Sequence, residues 1–249
     1  MKKRSIICLA LAVLTMSAQA QIKWFSTDQP DKRVTFGAHA GISVSNLTWK
    51  NFKGMETDPG IGFVLGGSVD IAIIKSLSVK TGFDIAHNRA NYDMVTESYS
   101  YARFEEEGTL GSTWIEAPIV PTYHLDINND MQVQLGFGEY MAFGLGGNIN
   151  IEERMVYLQS DRAPRKEESD YPFFHNGNFS RFNYGVLLSA GVRWKNIYAN
   201  LQYRIGLANI TDHWYSDDDD DDDVLFDDTY KSNTSTKLNA AYLTVGVCF

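Results

Sequence analysis

The sequence predicts an all-β fold: an eight-stranded antiparallel up-and-down transmembrane β-barrel. Three observations predict it. Eight segments of the 249-residue chain alternate apolar with small or polar residues, as strands do when successive side chains point to opposite faces. The connections between these segments alternate long and short. No run of about 18 apolar residues offers a transmembrane helix, whereas a barrel strand needs only about 9–11 residues.

The first 20 residues read as a secretory signal peptide. Lys2, Lys3 and Arg4 precede an apolar run, Ile6–Leu14, and Ala18-Gln19-Ala20 supplies the cleavage site. The run is too short to span a membrane. Cys8 lies inside it with no small residue directly before it, which argues against a lipoprotein. Cleavage removes three cations and no acids, so the formal charge of −9 becomes −12. One cysteine, Cys248, remains, so no internal disulfide is expected. The acidic balance argues against nucleic acid, whose phosphates need basic patches.

Residues 21–33 are a polar, periplasmic lead-in to the barrel at 34–249. The first strand is Val34–Ser45, with Phe36, Ala38, Ala40, Ile42 and Val44 on one face. The second is Ile61–Ile73. A turn at Lys75-Ser76 leads to the third, Leu77–Asn88. The fourth, Trp114–Leu125, holds Pro118 and Pro121, each of which removes a ladder donor. The fifth, Met131–Gly146, places Glu139 among Val133, Leu135, Phe137, Met141, Phe143 and Leu145. A carboxylate on a lipid face is costly, so a bulge is expected near Gly138-Glu139. Asn183–Trp194 and Ile197–Leu207 flank a turn at Lys195-Asn196. Leu238–Phe249 closes the series, with Leu243, Val245, Val247 and Phe249 outward, Tyr242, Thr244 and Gly246 inward, and antiparallel pairing to Val34–Ser45.

Four long connections separate these strands: Asn46–Asp58, Arg89–Ser112, Gly147–Arg181 and Ile210–Lys237. Outer-membrane barrels have long external loops, short periplasmic turns and both termini in the periplasm. Trp194, Phe249 and Tyr123 then fall near one level, where an aromatic girdle belongs. A soluble sandwich or lipocalin-like barrel would expose the second face, which should then be rich in Lys, Glu and Thr. That face is instead dominated by Gly, Ala and Ser, which suits the crowded interior of an eight-stranded barrel.

The segments "FGAHAGISVSNL", "LSVKTGFD", "WIEAPIVPTYHL", "FNYGVLLSAGVRWKNIYANLQYRIGLANI" and "LNAAYLTVGVCF" resemble the PorT-like outer membrane β-barrel family of Bacteroidetes. The most specific element is Trp114-Ile115-Glu116-Ala117-Pro118-Ile119. The resemblance implies an outer-membrane barrel of a Gram-negative bacterium. One member of that family serves protein secretion.

Six charges share the inward phase: Asp70, Lys80, Asp84, Glu116, Arg193 and Arg204. Buried charges need partners, so a structural salt-bridged network filling the lumen is expected, centred on Glu116 with Arg193 or Arg204. An eight-stranded interior is too narrow for an open pore. Acyl-transfer chemistry would need a nucleophile, a base and an orienting acid together. Only His39 and Ser43 share a face at close spacing, with His124 a further candidate, so no enzyme, catalytic residue, metal or cofactor is expected. The run Asp217–Asp223 lacks the glycine and ligand spacing of a calcium loop and reads as solvated, as does "RAPRKEE" at 162–168. The expected function is non-enzymatic: adhesion, binding or envelope integrity through the external loops. An accessory role in outer-membrane secretion is the alternative, and a lipid-modifying enzyme the third. Expected partners are outer-membrane lipid and lipopolysaccharide, the barrel assembly machinery through the last strand, and a surface ligand or secretion-system protein.

Overall fold

The computed structural model describes residues 24–50, 55–98, 102–157, 165–174, 179–211 and 235–249. Nine strands appear among them: β1 (Val34–Lys50), β2 (Met55–Ile74), β3 (Leu77–Ser98), β4 (Ala102–Asp126), β5 (Met131–Tyr157), β6 (Arg165–Pro172), β7 (Phe182–Trp194), β8 (Ile197–Gly206) and β9 (Ser235–Cys248). Eight of them form a closed antiparallel ring. Each pairs with its neighbour in sequence, except that β5 pairs with β7 past β6. β9 closes the ring on β1, from Gly37↔Cys248 to Lys50↔Ser235. Closure leaves no edge at the level of the ring.

The outer wall is apolar. Leu243, Val245, Val247 and Phe249 are 49–66% exposed, and Phe63, Phe83, Phe137, Leu201 and Trp194 are equally open on other strands. These side chains form a belt around the barrel. Tyr242 and Thr244 point inward and are buried. The two prolines of β4 are absorbed locally. Pairing with β3 lapses opposite Pro118, between Thr81↔Ile119 and Asp84↔Glu116. Pairing with β5 lapses opposite Pro121, between Ile119↔Glu139 and Thr122↔Gly136. Each proline therefore weakens one ladder while the strand stays held by the other.

Glu139 departs from expectation. It stays outward and pairs regularly, Ile119↔Glu139 and Glu139↔Val186, with no bulge. The irregularity of β5 lies further on, opposite Thr113/Trp114.

The long connections are also corrected. Most of Arg89–Ser112 and much of Gly147–Arg181 is strand. β4 has 25 residues and β5 27, against the roughly 9–11 that cross a bilayer. Beyond the belt, β3, β4, β5 and the ninth strand β6 continue as one antiparallel sheet. "RKEE" within the expected solvated loop belongs to β6. β1 and β2 likewise run into Asn46–Asp58. The run Asp217–Asp223 and the expected signal peptide lie outside the described residues.

Opposite the long connections, the lead-in crosses the β2–β3 turn. Lys75 N donates to Asp28 O at 2.9 Å and Ser26 N to Ser76 Oγ at 2.8 Å. The ring of Phe25 stacks on that of Tyr123, with centroids 6.4 Å apart.

Candidate functional site: the filled lumen

The register of the sheet builds the centre of the lumen. One row of paired positions runs Tyr198–Gly246–His39–Gly66–Asp84–Glu116 over six adjacent strands. The glycines separate the large side chains. A Cβ at Gly66 would collide with the Asp84 carboxylate, and one at Gly246 would lie 2.6 Å from Cζ of Tyr198. Without those atoms, His39 bridges both neighbours. Its Nδ1 lies 3.0 Å from Tyr198 Oη and its Nε2 2.9 Å from Asp84 Oδ1.

Arg204 enters this row from β8. Its Nη2 donates to Asp84 Oδ2 at 2.5 Å and to Gln202 Oε1 at 2.9 Å, and its Nη1 donates to Glu116 Oε2. The guanidinium lies over the Tyr242 ring at 4.4 Å. Tyr242 Oη donates to Glu116 Oε1 at 3.1 Å, and Asn88 Nδ2 donates to Tyr242 Oη at 3.2 Å. Arg204 is 1% exposed. Two carboxylates thus share one guanidinium in a desolvated site, where each charge depends on the others.

A second polar cluster occupies the short-turn end. Lys80 Nζ donates to Gln134 Oε1 and lies 3.9 Å from Asp70 Oδ2. His124 Nε2 is 2.6 Å from Ser78 Oγ and 3.8 Å from Asp70 Oδ2, and its Nδ1 is 2.8 Å from Gln132 Oε1. Arg193 lines a cavity of about 20 Å³ with Asp70, Lys80, Gln134, Tyr198 and Cys248. That volume holds about one water molecule. Of the two arginines considered for Glu116, only Arg204 reaches it.

The long-connection half of the lumen is built around an apolar cluster. Trp114 is fully buried, and Leu187, Tyr140, Leu110, Phe173 and Phe179 pack in the same cluster. Phe173 and Phe179 flank the connection between β6 and β7. Their rings stack at 4.3 Å, and Phe174 meets Trp114 edge-on at 5.3 Å. The chain turns back into the mouth through Phe173 N donating to Gly147 O at 2.8 Å and Arg181 Nη1 to Gly144 O at 2.9 Å. Ile210, after β8, is fully buried there as well.

The acyl-transfer candidates are not brought together. His39 is engaged by Asp84 and Tyr198, Ser43 Oγ donates to the His87 carbonyl at 2.9 Å, and His124 lies in the other cluster. Among the described residues no group of three His, Cys, Asp or Glu side chains is arranged to hold a metal ion.

Sequence reasoning placed the six charges inward but not the neutral residues that link them. His39 and Tyr242 were legible only as members of the inward phase, and Tyr198 was not singled out. The inserted Phe173 and Phe179 carry no periodic signal at all.

A closed antiparallel ring with an apolar outer belt and a filled polar interior is a transmembrane β-barrel. The outer membrane protein beta-barrel domain matches residues 18–212. The chain belongs to that family and is an outer-membrane β-barrel protein. It is similar to the crystal structure of Ail, the attachment invasion locus protein of Yersinia pestis, at 11% identity and a TM-score of 0.39, over 88% of this chain and 100% of Ail. It is similar to Neisserial surface protein A (NspA) at 13% identity and a TM-score of 0.36, over 87% and 96% of the two chains. The toluene transporter TbuX of Ralstonia pickettii matches at 8% identity and a TM-score of 0.23, over 88% and 90%. No curated protein sequence matches the chain.

Proposed function

We propose that this protein is a non-enzymatic surface barrel that acts through the sheet projecting beyond its belt. The observation that carries this reading is strand length. β4 and β5 exceed the requirement for crossing by about 14 residues or more, and with β3, β6 and the start of β2 they build the projection. The lumen supports the same reading, because among the described residues the central network and the aromatic cluster fill it. Its six charges hold the wall together rather than conduct. The projecting sheet faces the exterior and binds a surface ligand. Both termini lie in the periplasm, on the side of the short turns and the lead-in. The belt contacts lipid and the outer-leaflet lipopolysaccharide, and β9 is the strand that the assembly machinery reads. The PorT-like resemblance adds the secretion role as the finer alternative.

The test trims β3–β4 and β5–β6 to short turns just beyond the belt. The trimmed barrel still shows heat-dependent gel mobility, and its cells lose surface attachment while secretion is unchanged. Loss of secreted cargo with attachment intact would replace this reading with the secretion role.

A further inference from the structure

Glu139 sits in the middle of the lipid-facing stripe of β5. Val133, Leu135 and Phe137 precede it on the same face, and Met141, Phe143 and Leu145 follow it. Its cross-strand neighbours, Ile119 and Val186, are apolar. Among the described residues it has neither a hydrogen bond nor an ion pair. Six residues of strand on either side amount to about 20 Å, so its short side chain reaches neither rim of the belt. The wall does not turn the charge away, because the register carries past it without a shift on both sides, from Ile119↔Glu139 to Thr122↔Gly136 with β4 and through Glu139↔Val186 with β7. An ionisable group at that depth is costly and is retained for a partner or a function.

We propose that the outer wall of β4, β5 and β7 around Glu139 docks a second membrane-embedded protein, which presents a Lys or Arg at mid-depth of the bilayer to pair with Glu139. Charge complementarity selects the occupant. The outward belt of this chain carries no Lys or Arg between its rims, so a second copy offers Glu139 no cation. Two small residues flank the site, Ala117 opposite Met141 and Ala190 opposite Leu135. They allow a partner's backbone to approach closely, as small residues do in membrane interfaces.

The full-length chain carrying Phe137→p-benzoylphenylalanine is expressed in its own cells and irradiated. The expected result is an adduct with one membrane protein, linked beside a Lys or Arg of its membrane-spanning surface. Glu139→Leu lowers the adduct at least tenfold, Glu139→Gln lowers it less, and Glu139→Lys restores it when that basic residue is changed to Glu. Heat-dependent gel mobility reads the folding of each variant separately, and Glu139→Gln carries the test should Glu139→Leu fail to fold. Adducts with lipid alone, an adduct of twice the chain's own mass, or an unchanged yield in both Glu139 variants would overturn the proposal.

Discussion

The same three strands, β3, β4 and β5, cross two solvents. In the belt their outward positions are Phe83, Ile85, Ile119, Leu135 and Phe143. Beyond the belt the outward row is Glu56–Asp93–Glu107–Glu152–Glu168, each residue paired with the next on five adjacent strands. Apolar alternation is therefore imposed by lipid, not by the strand. Where water wets the outward face, that face need not be apolar, and like charges can stand opposite one another at a modest cost. The next row on that face supplies partial relief: Arg154 Nη2 lies 3.1 Å and Lys166 Nζ 2.5 Å from Glu152 Oε1. Hydrogen bonds from Lys166 and then Arg154 hold the Glu152 carboxyl below its ordinary value. In the same sheet, burial and then the hydrogen bond to Glu106 push the Tyr92 phenol up.

The contrast can be broken from either side. Arg204→Ala should be the most damaging change, because it strands Asp84 and Glu116 in a desolvated site. A loss of about 3–5 kcal/mol is expected, read as the urea midpoint of the barrel in lipid. Arg204→Met with Asp84→Asn and Glu116→Gln should recover most of it. Trp114→Ala should cost about 3 kcal/mol by emptying the aromatic cluster, with the apolar half of the lumen losing protection from hydrogen exchange first. On the lipid face, Val245→Arg should cost about 2–4 kcal/mol, whereas Asn150→Arg, outward in the projecting sheet, should change refolding by less than about 0.5 kcal/mol.

Smaller effects belong to the projecting sheet. Glu107→Gln removes one member of the acidic row and should strengthen the sheet by about 0.5 kcal/mol, seen as slower local proteolysis. Glu152 acts in the opposite sense. Its carboxyl is held low in the folded sheet, so its stabilising effect is complete above its unfolded pKa and is lost as pH falls through the folded one. The advantage of the parent chain over Glu152→Gln should therefore be present at neutral pH and vanish in acid.

The belt was legible from sequence because lipid contact writes a period-two pattern in every strand that meets it. All eight ring strands, the closure of β9 on β1 and the inward phase of Asp84, Glu116 and Arg204 followed from that pattern alone. The projecting sheet was not legible. In residues 102–112 and 148–157 the apolar face, Phe104 and Leu110 on β4 and Ile149, Ile151 and Met155 on β5, is interrupted by Glu106 and Glu153, and β6 reads "RKEESDYP", indistinguishable in composition from a solvated loop. Pairing across the centre was equally hidden. Nothing in sequence spacing says that Gly66 and Gly246 let His39 span to Asp84 and Tyr198, because that depends on the register of five strands at once. Glu139 was misjudged for a different reason. A bulge was expected to turn it from lipid, but β5 stays regular there and leaves the charge outward.

The central claim, one set of strands in two solvents, is tested most directly by mapping accessibility along β5. In a Cys248→Ser background, single cysteines replace Leu135, Phe137, Met141, Leu145, Asn150 and Glu152, and intact cells are treated with a membrane-impermeant maleimide. Positions 150 and 152 should label fully, and positions 135, 137, 141 and 145 should stay unlabelled until the membrane is dissolved. Labelling at 135–145 on intact cells, or its absence at 150 and 152, would contradict the account.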